Sequence, residues 1–235
     1  MRTGGILHRG TFQRRFSGAP DDARNHFPGW TGMVWRHVVL LVWLFILLPA
    51  ALWGQVRLGL ERGHEALTGA SAPRPDAPAG TASVRPYRPT WWGLRLEGPW
   101  RRVRPALTVR RGTPDLALVG AELTLIEHAQ LTTLTALQAE MVVPLFQQAG
   151  VEWRASVGSL LERWAFRGTP PRWRGGPMAG LSVVVPVVGP VEATLGGLVG
   201  ILPMSPFTAG ELPATLEPRG AWRTALRGGV NLRFE

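Results

Sequence analysis

The chain has 235 residues, 45% of them apolar, and a formal net charge of +10. That length holds one ordinary domain with attachments, and that apolar fraction excludes global disorder. Cysteine is absent, which excludes disulfides, thiolate chemistry and cysteine-ligated zinc. All 26 basic residues are arginine, among abundant Ala, Gly and Pro, so part of the positive balance is compositional. With neither an RRM-type aromatic motif nor a zinc-finger spacing present, nucleic acid is not an expected partner.

In chain order, residues 1–33 read as a cytoplasmic N-terminal tail, with Met33 as an alternative start to Met1. Val38 to Gly54 carries no charged side chain, and roughly 20 apolar residues cross a bilayer as a helix. The expectation is a transmembrane helix over residues 34–56, with Trp35 and Trp53 at the two headgroup levels. Arg2, Arg9, Arg14, Arg15, Arg24 and Arg36 precede it, whereas Arg57 and Arg62 beyond it are offset by Glu61 and Glu65. The positive-inside rule then keeps the N-terminus in the cytoplasm. A cleaved signal peptide is the competing reading, disfavoured because Leu52 and Trp53 follow Ala50-Ala51. Residues 57–90 read as the end of that helix and a Pro-rich linker, too poor in large apolar groups to form a core.

Residues 91–235 read as a β-rich periplasmic domain. Apolar residues recur with period two at Leu107 and Val109, at Leu116 and Leu118, and at Leu123 and Leu125, with Gly120 as a bend. Val151, Trp153, Ala155 and Val157 alternate, as do Leu181, Val183, Val185 and Val187, where Pro186 implies an edge or a bulge. Leu131 to Leu145 mixes helical spacing with Thr and Val, and β propensity favours a strand. Trp222 to Leu226 and Val230 to Phe234 suggest a hairpin across Arg227-Gly228-Gly229. The expected fold is mainly β: a Gly-rich antiparallel domain, as a curled sheet or a sandwich, behind the helix and linker.

Catalytic chemistry finds little support. His128 is the one histidine of this domain and Asp115 its one aspartate. Glu127-His128 has no second histidine with which to build a metal or acid–base site. No serine sits in a nucleophile elbow, and Gly196 to Gly200 lacks a phosphate-loop lysine. The expectation is a protein without catalysis or cofactor. One cluster stands out: Arg85, Arg88, Trp91, Trp92, Arg95, Trp100, Arg101, Arg102 and Arg104 interleave cations with indoles. As a surface they would suit membrane or partner contact, since each arginine near an anionic headgroup layer adds about 1 kcal/mol. As core they would be a solvated strand face over buried rings.

The stretches Leu131 to Phe146, Phe166 to Gly176 and Val188 to Gly200, ahead of the closing strands, resemble protein N of the type II secretion system and, more loosely, the AsmA-like envelope proteins. The resemblance implies an inner-membrane-anchored accessory of a secretion apparatus, working with other envelope or secretion proteins. Its alternative implication is an AsmA-like protein whose curled sheet binds or transfers phospholipid. It carries over no site residues.

Overall fold

The computed structural model describes residues 56–98, 102–120, 124–127, 132–166 and 168–234. They form β1 (Val56–Pro73), β2 (Ser83–Glu97), β3 (Arg104–Val119), β4 (Thr124–Glu127), β5 (Thr132–Gln148), β6 (Val151–Phe166), β7 (Arg172–Val188), β8 (Val191–Leu202) and β9 (Leu216–Phe234). A 3-10 turn, Ala209–Glu211, interrupts the β8–β9 connection.

Every pairing is antiparallel, and the order is β2-β1-β9-β8-β7-β6-β5-β3-β4, with β2 also paired to β3. Eight long strands therefore close on themselves as a barrel, and β4 is an extra short strand on the upper part of β3. Closure removes the open edges that a sheet this size would otherwise present.

The register fixes the barrel's dimensions. Starting at Leu67, successive partners are Arg223, Gly200, Met178, Gly158, Glu140, Ala106, Glu97 and finally Arg57. The circuit returns to β1 ten residues from where it began. A shear of ten over eight strands implies a strand tilt of about 40° and a radius of about 8 Å. Rows of paired residues then climb the barrel by about 3 Å per strand.

The two ends differ. At the end holding Val56 and Phe234, strands are joined by six residues after β2, by Ala149-Gly150 and by Gly189-Pro190. Ala149 and Gly150 both have positive φ (50° and 82°), the geometry of a two-residue turn that follows the strand twist. At the other end the connections are longer, above all residues 203–215 between β8 and β9. Bulges fall at Gly69/Ser71, Tyr87/Thr90, Pro144/Phe146 and Pro186/Val188.

Several sequence expectations change here. The described segment of residues 57–90, expected as helix end and linker, is β1, a nine-residue loop and the first half of β2. Pro73 ends β1, Pro75 and Pro78 lie in the loop, and Pro86 and Pro89 stand beside and on the Tyr87/Thr90 bulge, where the ladder is irregular. The sheet is neither curled open nor a sandwich. The expected hairpin across Arg227-Gly228-Gly229 is one uninterrupted strand, β9, whose Gly228 and Gly229 pair on both sides. The strand over Leu131 to Leu145 is present as β5, and Pro186 does mark a bulge, within a strand paired on both sides. No helix among the described residues is long and apolar enough to cross a membrane. The helix expected over residues 34–56 lies outside the described residues except for Val56, which opens β1.

Candidate functional site: the lumen and the outer wall

Alternation along each strand sends one set of side chains into the barrel and the other outward. Here the sets are inverted relative to a water-soluble barrel. Outward stand Leu58, Leu60, Leu94, Val157, Leu161, Leu181, Leu195, Val199, Leu226 and Val230, each more than two-fifths exposed. Aromatic rings bound this band: Trp173 and Trp222 towards the loop-rich end, Phe146, Trp153 and Phe234 towards the chain ends, with Phe146 and Trp153 stacked at 5.7 Å. On β9 the outward face runs from Trp222 to Phe234, twelve residues apart. At the tilt above this is roughly 30 Å of barrel height, matching a hydrocarbon core with its flanking girdles.

Inward, charges form three storeys. Nearest the chain ends, Arg57 meets Glu97 (3.1 Å) and Glu192 (2.8 Å), Arg154 meets Glu97 (3.3 Å) and Glu152 (2.8 Å), and Arg104 meets Glu152 (2.7 Å). In the middle, Glu140 holds Arg95, Arg227 (3.1 Å) and the Ser156 hydroxyl (2.9 Å), while Glu61 faces the same two arginines at 3.7 and 3.8 Å. Above, Glu162 accepts from Arg223 (2.6 Å), Arg110 (3.3 Å) and Trp164 Nε1 (3.1 Å), and Glu65 accepts from Arg110. Among the residues named, each storey carries as many carboxylates as guanidiniums, and Arg233 adds one more guanidinium at the chain-end rim, 3.7 Å from Glu192.

Room for these long side chains comes from inward glycines. A Cβ on Gly63 would meet the Trp91 ring at 2.2 Å, and one on Gly158 would meet the Ala139 carbonyl at 2.0 Å. Trp91 lies flat over Gly63, and the Arg110 guanidinium sits 4.8 Å above its ring.

Above the charged storeys the barrel is sealed by an apolar cluster of Leu67, Leu134, Trp164, Leu202, Phe207 and Leu216 with their neighbours. Phe207 comes from the β8–β9 loop, which folds back into the barrel mouth. The Ser205 hydroxyl donates to Ala70 O (2.6 Å), and the Arg174 Nε–H donates to Ser205 O (2.6 Å). Arg172 clamps Glu211 through both carboxylate oxygens, and Glu211 also accepts from the Thr208 N–H (2.8 Å).

Burial raises the pKa of Glu211, but the Arg172 and Thr208 hydrogen bonds outweigh it and leave the carboxyl below its ordinary value. A depressed folded-state pKa stabilises the loop above the unfolded-state value and loses that contribution as pH falls through the folded one. Hydrogen-exchange protection factors at residues 208–214, referred to the intrinsic rate at each pH, should therefore be unchanged from pH 7 to about 5 and fall below about 4. In Arg172→Ala the protection should already be reduced at pH 7; equal protection in the two proteins would remove the clamp from the account.

The cluster of interleaved Arg and Trp does not form one surface. Trp91 and Arg95 point into the lumen, Arg104 is half-buried at the chain-end rim, and Trp92 points outward. Arg85 is half-buried on β2, Arg88 is exposed beside the Tyr87 ring, and Arg102 is exposed between β2 and β3. Trp100 and Arg101 lie outside the described residues, as does His128. Sequence reading missed the lumen storeys entirely, although Glu61, Glu65, Glu97, Arg110, Glu140, Glu162 and Arg227 share one strand parity.

An eight-stranded antiparallel barrel with its apolar side turned outward is the architecture that transmembrane β-barrels share. No family model and no curated protein matches the sequence. Among solved structures, Neisserial surface protein A (NspA) superposes with a TM-score of 0.50 at 12% identity, over 76% of this chain and 98% of its own. The outer membrane protein OprG from Pseudomonas aeruginosa gives a TM-score of 0.48 at 8% identity, over 78% of this chain and 97% of its own. At such identities the likeness is one of fold, and the NspA match carries it.

This overturns the resemblance to type II secretion protein N and to AsmA-like proteins. The single-pass inner-membrane location falls with it, and so does the secretion-accessory role. The lipid-groove alternative fails on the same geometry: an AsmA-like groove is an open apolar trough, whereas this sheet is closed and its interior is ionic.

Proposed function

We propose that this protein is an outer-membrane β-barrel that does not conduct and does not catalyse, and that anchors its loop-rich end at the outer face. The observation that carries the reading is the inversion: apolar side chains outward in a band of bilayer height, buried ion pairs inward. A water-filled pore needs hydrated lumen charges. Here Glu61, Glu140 and Glu162 are 1%, 3% and 0% exposed, and the apolar seal with Phe207 lies above them. The longer connections fall at one end, the asymmetry of barrels whose long loops face outward.

An outer-membrane destination requires export. The arginines before residue 37 and the uncharged run from Val38 to Gly54 have the composition of an export signal ending just ahead of β1. Membrane fractionation and N-terminal analysis of the mature protein test both points: outer-membrane recovery with a start near residue 50 is expected. Recovery of the intact chain in the inner membrane would sink the proposal. Reconstituted in planar bilayers, the purified protein should give no steady ion current; regular single-channel steps would replace the anchor by a pore.

A further inference from the structure

The apolar outer wall is broken by a run of cations around one indole on β1, β2 and β3; outward Arg163 on β6 continues the same ladder row beyond Thr135. On β8 and β9 the outward face stays apolar, apart from Thr224, up to Ile201 and Trp222. On β1, β2 and β3 the apolar positions stop at Leu60, Leu94 and Val109. The next outward residues are Arg62, Trp92 and Arg111, followed by His64, Thr90 and Thr113. Arg62, Trp92 and Arg111 lie side by side in the ladder, since Arg62 pairs with Trp92 and Trp92 with Arg111.

Arg62 also pairs with Gly228 on β9, yet β9's outward face continues through Leu226 and Thr224 to Trp222, six residues nearer the loops. The cationic notch therefore cuts roughly 10 Å down into the apolar band. Arg62 lies over the Trp92 ring at 5.1 Å, and neither Arg62 nor Arg111 has an ion-pair partner among the described residues. The nearest outward carboxylate on these strands is Asp115, two outward positions above Arg111.

An unpaired arginine on the lipid face of a barrel costs about 2–4 kcal/mol at mid-depth and still up to about 1 kcal/mol near the interface. Two such cations flanking an indole in adjacent ladder positions ask for a counter-charge that reaches down from the headgroup layer. Resting on the transmembrane reading above, we infer that Arg62, Trp92 and Arg111 form a binding site for the phosphate of an anionic lipid in the leaflet at the loop-rich end. The two guanidiniums bracket the phosphate, His64 stands just above them, and the Trp92 ring packs against the upper acyl chain.

The test uses the full chain in phosphatidylcholine bilayer discs carrying a minor fraction of diphosphoryl lipid A, with lipids retained after mild detergent extraction counted by mass spectrometry. The wild-type protein should retain lipid A over phosphatidylcholine, and the double variant Arg62→Gln/Arg111→Gln should lose about tenfold or more of that preference. The charge-keeping Arg62→Lys/Arg111→Lys variant should keep most of it. Should the glutamine pair fail to fold, the single variant Arg111→Gln replaces it, with about a fivefold loss expected. Equal retention by wild-type and glutamine proteins overturns the site. Failure of the wild type to enter discs of pure phosphatidylcholine would overturn the membrane reading itself, a separate outcome.

Discussion

Replacing Glu162 by alanine should lower the stability of the folded barrel by about 3–5 kcal/mol, the usual cost of stranding a buried charge. Glu162 is fully buried and accepts from Arg223, Arg110 and Trp164. Without it, two guanidiniums share Glu65 alone, at a depth where bulk water does not reach them. Glu162→Gln keeps an acceptor but not the charge and should fall between. The comparison is Glu217→Ala, which breaks the exposed pair with Arg219 and should change stability by less than about 1 kcal/mol. Urea unfolding in detergent micelles measures all three. If Glu162→Ala lost no more than Glu217→Ala, the upper storey would be hydrated and the lumen could not be described as solid.

The same residues explain what sequence could and could not show. Period-two patterning was legible along Val151 to Val157 and Leu181 to Val187, and those segments are parts of β6 and β7. Period two is silent about which side is wet. Leu alternating with Glu and Arg, as in Leu58 to Glu65, describes a sheet with an apolar core beneath and a barrel with lipid around equally well. In Leu58, Leu60, Glu61 and Glu65 it also mimics the end of a helix, so the pattern alone does not separate β1 from one. Proline misled in a similar way. Pro86 and Pro89 lie in β2 around a bulge, and composition alone reads their neighbourhood as spacer.

The discriminating signal was present but needed both parities at once. The carboxylates and guanidiniums of the three storeys fall on inward positions, and many of their partners stand far away in sequence, 40 and 135 residues for Arg57 with Glu97 and Glu192. Such pairing becomes visible only once the register is known. The lipid-side cations are harder still. Arg62, Trp92 and Arg111 are a site only because two ladders set them in a row, whereas sequence proximity had grouped Trp92 with Trp91 and Arg95, which face the opposite way.

The outward band yields the second large effect. Leu195 is 60% exposed on β8, between Val183 and Gly228, near the middle of the apolar band. Leu195→Arg should destabilise the barrel in lipid vesicles by about 2–4 kcal/mol, because a guanidinium there must leave water for hydrocarbon. Val188, beside the β7–β8 turn and 69% exposed, lies at the rim, where the same change should cost no more than about 1 kcal/mol. The contrast is in depth, since both side chains are open to the surroundings and neither packs in the lumen. Equilibrium folding into vesicles, followed across urea concentrations, reads the difference directly. A steep dependence on depth requires hydrocarbon around the barrel. Two equal, near-neutral substitutions would mean that water surrounds it, and the apolar band would then have to be a surface covered by protein.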